Sequence, residues 1–113
     1  MLTFERIEAL AARFTGVEAG TPYGTPALRA AGRSLLRMHD EEDAVVMLFR
    51  SEAVQQSLVA NDPIGFFITD HCRGYAAVLM RPTVAEETFL DLLEAGWRQI
   101  ARKRDLKSFV AVG

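Results

Sequence analysis

Near the start of the chain, apolar residues fall at Phe4, Ile7, Leu10, Ala11 and Phe14, the three-and-four spacing of one helix face. Thr3 stands where a side-chain oxygen caps a free amide, and Gly16 where a left-handed residue ends a helix. The pattern then breaks. "GVEAGTPYGTP" brings glycine or proline at short intervals, which predicts an irregular connector held extended by its two Thr-Pro pairs.

The following "ALRAAGRSLLRMHDEEDAVVMLFR" predicts three strands, divided first at Gly32 and then by the acidic run from Asp40 to Asp43. Ser51 caps a short helix, "EAVQQSLVA", which Asn61, Asp62 and Pro63 stop. "GFFIT" and "YAAVLMR" predict two more strands. Thr83 and Glu86 have capping-box spacing and start a last helix with Phe89, Leu92, Leu93, Trp97 and Ile100 on one face. Its first half is acidic and its last turns hold Arg98, Arg102, Lys103 and Arg104, which suits the helix dipole. The order is therefore α-β-β-β-α-β-β-α: an α+β chain with a five-stranded sheet. No repeat, low-complexity tract or linker interrupts it, so residues 1–113 are expected to form a single domain.

Taken as a crossover, the middle helix matches a strand in length, at about 1.5 Å per residue. It then returns the chain so that the fourth strand runs parallel to the third, in a mixed sheet. That topology puts the turn at Gly32-Arg33, the exit at Arg50 and the turn at Cys72-Arg73-Gly74 at one end of the sheet. The acidic turn from Asp40 to Asp43 goes to the other. "AVVMLF" and "AAVLM" are apolar at successive positions, as in strands covered on both faces. Three helices cover one face, so a homodimer is one way to cover part of the other.

Composition narrows the class. With 113 residues the chain suits one core. No apolar run approaches the roughly 18 residues of a membrane helix, so no membrane partner is expected. The acid-bearing N-terminus "MLTFERIEAL" does not read as a signal peptide, and one cysteine fits a cytoplasmic location. Net charge is −2, so contact with nucleic acid must come from a local basic patch.

The candidate sites carry little catalytic chemistry. In "DHCRG", Asp70, His71 and Cys72 are consecutive and point to alternate faces of a strand, while His39 is the only other histidine. That is too few ligands for zinc, and nothing orients a Cys-His nucleophile. Gly74 after Cys72-Arg73 is what a tight turn needs, so the segment reads as a hairpin turn. "GTPYGTP" lacks the lysine and glycine spacing of a phosphate loop. No cofactor, metal or small-molecule ligand is expected, and no enzyme activity. His39 reads as a solvated turn residue and Trp97 as core. Arginine is the informative residue type: eleven of thirteen basic residues are arginine, and Arg29, Arg33 and Arg37 flank one turn. Its planar fork of donors suits phosphate, although a solvated strand face explains the same pattern.

"GTPYGTPALRAAGRSLLRM", "FFITDHCRGYAAVLMRP" and "LLEAGWRQIARKR" together resemble, in order, the motifs of the MmcQ/YjbR-like proteins. The resemblance implies a compact CyaY-like (frataxin-like) α+β fold with an antiparallel-rich sheet. It also implies a double-wing mode of DNA binding by two hairpins. On this chain the corresponding residues are Arg33 and Arg73 at the turns, with Lys103 and Arg104 ending the last helix. With Arg29 and Arg37 beside the first turn, these form the expected DNA-contacting set. "YAAV" departs from the family pattern, in which an aromatic residue commonly follows the tyrosine; this weakens base stacking at that hairpin. The alternatives are a protein-interaction module or homodimer using the sheet face, and a small-molecule or anion-binding protein with a cleft near "GTPYGTP".

Overall fold

Helix α1 covers Phe4–Ala11, and the amide of Arg6 donates to Thr3 Oγ1 at 3.2 Å, closing its first turn. Ile7, Leu10 and Ala11 are buried on its inner face. The helix ends at the Ala12 cap, earlier than Gly16 suggested. Gly16 is left-handed (φ 83°), but it opens the next element instead of closing this one. The structure, a computed structural model, describes residues 1–21, 24–39, 43–49, 51–70 and 76–109.

That next element corrects the sequence reading. Val17–Gly20 forms β1, an edge strand inside the stretch expected to be irregular. Its glycine-rich surroundings point to a loop, but antiparallel pairing with β2 (Ala27–Ala30) supplies backbone partners and overrides weak propensity. With β3 (Arg33–Met38), β4 (Val45–Leu48), β5 (Phe66–Phe67) and β6 (Ala77–Met80), the sheet has six strands, not five. Their order is β1-β2-β3-β4-β6-β5, and every neighbouring pair is antiparallel. The expected mixed sheet does not form. Helix α2 (Glu52–Asn61), capped by Ser51, does return the chain so that β5 runs in the same direction as β4. However, β6 lies between them and pairs antiparallel with both.

Two local devices shape the β2–β3 hairpin. Ala31 (φ 53°) and Gly32 (φ 75°) form a two-residue loop in which both residues are left-handed, matching the twist of the strands. In β3, Leu36 pairs with Leu28 while Ser34 pairs with Arg29, so Leu35 is an extra, bulged residue. The bulge lets Leu35 and Leu36 both enter the core.

Alternate positions of the central strands separate two apolar clusters. Leu28, Leu36, Val45, Met47, Val78 and Met80 pack with the helices, around Phe89, Leu93 and Trp97. On the opposite face, Ala44, Val46, Ala77 and Leu79 form a smaller cluster with Leu48 and Phe67 against it. Val46 and Leu79 are 3% and 0% exposed, so both faces of β4 and β6 are buried within one copy.

Helix α3 spans Glu86–Ile100, burying Phe89, Leu93, Gly96, Trp97 and Ile100; Leu92 is only half-buried. The capping box from Thr83 to Glu86 is not made: Ala85 is the N-cap, with no side-chain bond. Glu86 instead accepts from Arg6 Nε of α1 at 2.7 Å. The helix also stops sooner than expected. Ala101 is extended (ψ 148°), and a separate short helix, α4, covers Lys103–Ser108. This fold-back seats Phe109 against Phe14 and Trp97, with ring centroids 5.3 and 5.0 Å apart. Among the described residues, no helix is long and apolar enough to cross a membrane.

Candidate functional site

Strand register fixes which loops share an end of the sheet. Arg33 pairs with Ala30 across the hairpin turn, and Ala30 also pairs with Val17, so β1 starts at this end. Leu48, where β4 finishes, pairs with Ala77, where β6 begins, and both lie at the same end. Met38 pairs with Val45 and Val45 with Met80, which puts the β3–β4 turn and Asp43 at the other end. Arg33 and Asp43 therefore stand at opposite ends of the sheet. Arg50, Arg73 with the rest of residues 71–75, and the acidic residues Asp40, Glu41 and Glu42 lie outside the described residues.

Helix α4 joins the Arg33 end. A β-carbon built on Gly16, the residue before β1, would lie 2.7 Å from Asp105 Oδ2, so α4 packs directly on the start of that strand. Trp97 Nε1 donates to Thr15 O at 2.9 Å and fixes the end of α3 beside it. Arg33 stands two strand spacings from Val17, roughly 10 Å. Lys103 and Arg104 thus share an end with Arg33, although they lie on a separate helix and not in the last turn of α3.

The sequence "RKRDLK" contains one acid, and it is the one turned inward. Asp105 is 8% exposed, Leu106 packs on the core, and Arg102, Lys103, Arg104 and Lys107 are exposed. Arg102 and Lys107 were not among the expected site residues. The signal that would have found them is this run, read with its acid on the buried side. Among the described residues, none of these four cations, nor Arg33, is held in an ion pair; the salt bridges there are Arg6–Glu86 and Arg98–Glu94.

The three arginines around the first turn do not form a single patch. Arg29 pairs with Glu18 and Ser34, and Arg37 pairs with Ala27 and Val46, which puts both on the sheet face away from the helices. Arg33 pairs with Ala30, a residue of the helix-side core, so it belongs to the other face at the turn. Arg29 Nη2 also donates to Gly32 O at 2.8 Å, so part of its fork braces the hairpin.

Among the described residues, no three His, Cys, Asp or Glu side chains gather as a metal site; His71 and Cys72 are outside them. Pro22 and Tyr23 of "GTPYGTP" are outside them as well. A cleft of about 270 Å³ is lined by Met1, Leu2 and residues 82–86, none of them from "GTPYGTP". Its one ionisable side chain, Glu86, is a carboxylate, and its bond from Arg6 holds it below the ordinary carboxylate range. Comparison of the chain with protein-family profiles, curated proteins and solved structures gives no match in any of the three.

Proposed function

We propose that the protein binds DNA through phosphate contacts at the basic end of its sheet. Arg33 at the hairpin tip and Lys103 and Arg104 on α4 are the principal contacts, with Arg102 and Lys107 beside them. The observation that carries this reading is the gathering of exposed cations, without ion pairs among the described residues, at one end of a chain whose net charge is −2. A local patch of this kind attracts a polyanion where the whole molecule does not. Arginine and lysine on two separate elements supply charge and few base-reading contacts, so binding is weak and tolerant of sequence.

The reading extends to the resemblance. A CyaY-like architecture and membership of the MmcQ/YjbR-like proteins would make the β2–β3 hairpin one wing and the segment holding Arg73 the other. Arg29, on the outer face, then flanks the tip of the wing, while Arg37 lies four residues along β3 toward the Asp43 end. The protein acts in the cytoplasm and without catalysis. The sheet-face alternative has less support, because the apolar cluster on the outer face is already buried within one copy.

Fluorescence anisotropy with short duplexes over a range of salt tests the proposal. Arg33→Ala with Arg104→Ala should weaken binding by similar factors on unrelated sequences. Each lost phosphate contact should lower the slope of log affinity against log salt by about 0.9, or roughly two for the pair. Asp43→Asn should change affinity less. No association of the wild-type protein at low salt overturns the reading.

A further inference from the structure

We infer that α4 is an acylation site, in which arginine holds the phosphate of a small acyl phosphate while Lys103 or Lys107 takes the acyl group. The inference that acylation weakens DNA binding rests on the proposed function; the acylation itself does not.

The placing of lysine sets α4 apart. The chain has eleven arginines and two lysines, and both lysines stand in this one helix of six residues. Lys103 and Lys107 are four apart and Arg104 and Lys107 three apart, so the three side chains rise from one side of the helix. Arg102 stands just before them as the N-cap. All four are exposed, and none is in an ion pair among the described residues. Asp105 and Leu106 take the other side, against Gly16 and the core. The helix's one carboxylate is thus turned away from its cations. Ser108 Oγ donates to Arg104 O at 2.6 Å, a bond that ties the backbone of this turn and not the guanidinium.

The two residue types have different chemistry. A guanidinium keeps its proton at physiological pH and offers a planar fork that matches phosphate oxygens, so it binds the donor without reacting. A lysine amine that has released its proton to water is a nucleophile. Its Nζ adds to the acyl carbonyl carbon, forming a C–N bond, and the C–O bond to phosphate breaks. Inorganic phosphate leaves with that electron pair, and the nitrogen loses one proton to water. Nothing is oxidised or reduced. Local positive charge concentrates the anionic donor beside the amines. The product is a neutral amide, so each acyl group removes one positive charge from the basic end. Each acylated lysine that had contacted DNA phosphate then lowers the salt slope by about 0.9.

Incubation of the full chain with acetyl phosphate, followed by peptide mass mapping, is the test. The expected result is acetylation of Lys103 or Lys107 several-fold faster than of Nα-acetyllysine amide in the same solution. Inorganic phosphate should suppress the excess more than chloride does at equal ionic strength. Arg102→Gln with Arg104→Gln should also remove the excess, with an unchanged circular dichroism spectrum to show that the variant is folded. A rate no greater than that of the free amine, or one that ignores both phosphate and the loss of the arginines, overturns the site. Lys103→Arg with Lys107→Arg keeps the charge and should bind DNA equally before and after acetyl phosphate, while treated wild type should bind with a lower salt slope. Treated wild type that binds DNA as before overturns the regulatory step. A wild type that is acetylated as expected but never binds DNA overturns the proposed function and leaves the acylation site standing.

Discussion

Trp97 and Thr15 are joined by a hydrogen bond of 2.9 Å between the indole Nε1 and the backbone carbonyl, across 82 positions of sequence. This contact holds the end of α3 against the segment leading into β1, with Phe14 packed beside it. Trp97→Phe keeps most of the apolar contact but leaves the Thr15 carbonyl without its donor. The expected loss is about 0.5–1.5 kcal/mol, the net worth of a hydrogen bond that is only part-buried. Trp97→Ala should cost about 3–5 kcal/mol because it also leaves a cavity. Denaturant unfolding followed by circular dichroism measures both, since the chain has one tryptophan and the variants lose its fluorescence.

The two glycines that bracket the site separate backbone strain from crowding. Gly32 is left-handed with open space around it, so Gly32→Ala should cost only the strain, about 1–2 kcal/mol. Gly16 is left-handed too, and an added β-carbon would meet the Asp105 carboxylate. Gly16→Ala should therefore cost more than Gly32→Ala. Combining it with Asp105→Ala should recover the excess, as a double-mutant cycle would show. Equal costs at the two glycines would mean that α4 does not press on β1.

The Arg6–Glu86 pair carries a pH dependence of defined sign. The side-chain hydrogen bond from Arg6 holds the Glu86 carboxyl below its ordinary range, against a smaller opposing effect of desolvation. A carboxyl lowered by folding stabilises the folded state above its unfolded pKa, and this contribution fades as pH falls through the lowered value. Glu86→Gln should therefore melt below the wild type at neutral pH by a small margin, since both partners are exposed. In acid, beneath the carboxylate range, the margin should disappear. A margin that persists there would assign the effect to packing.

Gln55 anchors α2 to the sheet. It is 7% exposed and its Nε2 donates to Ala77 O at 2.6 Å. Gln55→Leu fills the same volume without the donor and should cost about 1–3 kcal/mol in chemical denaturation. Gln56→Leu, at an exposed neighbour, should change stability by less than about 0.5 kcal/mol.

The sequence showed those elements whose reasons are local. Thr3 and the apolar residues behind it mark α1 because cap and spacing lie within one stretch. Phe89, Leu93, Trp97 and Ile100 mark α3 in the same way. Strand β1 was hidden because Val17–Gly20 lacks alternation and has Val17 as its one strand-forming residue; its reason for being a strand is β2. The break at Ala101 was hidden for the opposite reason. Alanine, arginine and lysine all favour helix, and only the seats of Asp105 and Phe109 against Gly16 and Phe14 turn the chain aside. At the site, the end occupied by Arg33 followed from counting strands. Which face Arg37 takes was not legible, because the bulge at Leu35 changes the phase of β3 between Ser34 and Leu36.

The strand order also sets a schedule of assembly. Strands β1 to β4 pair each with its predecessor, so residues 17–48 contain all the partners that the first three of them need. Two-thirds of the sheet can therefore form while the later residues are still on the ribosome, from contacts that are short in sequence and fast to close. Strand β6 must wait for the chain to return, and the bond from Trp97 to Thr15 must wait until α3 has been made. The basic end is thus completed only after the sheet: its hairpin forms early, but α4 follows β6 and α3 in the chain.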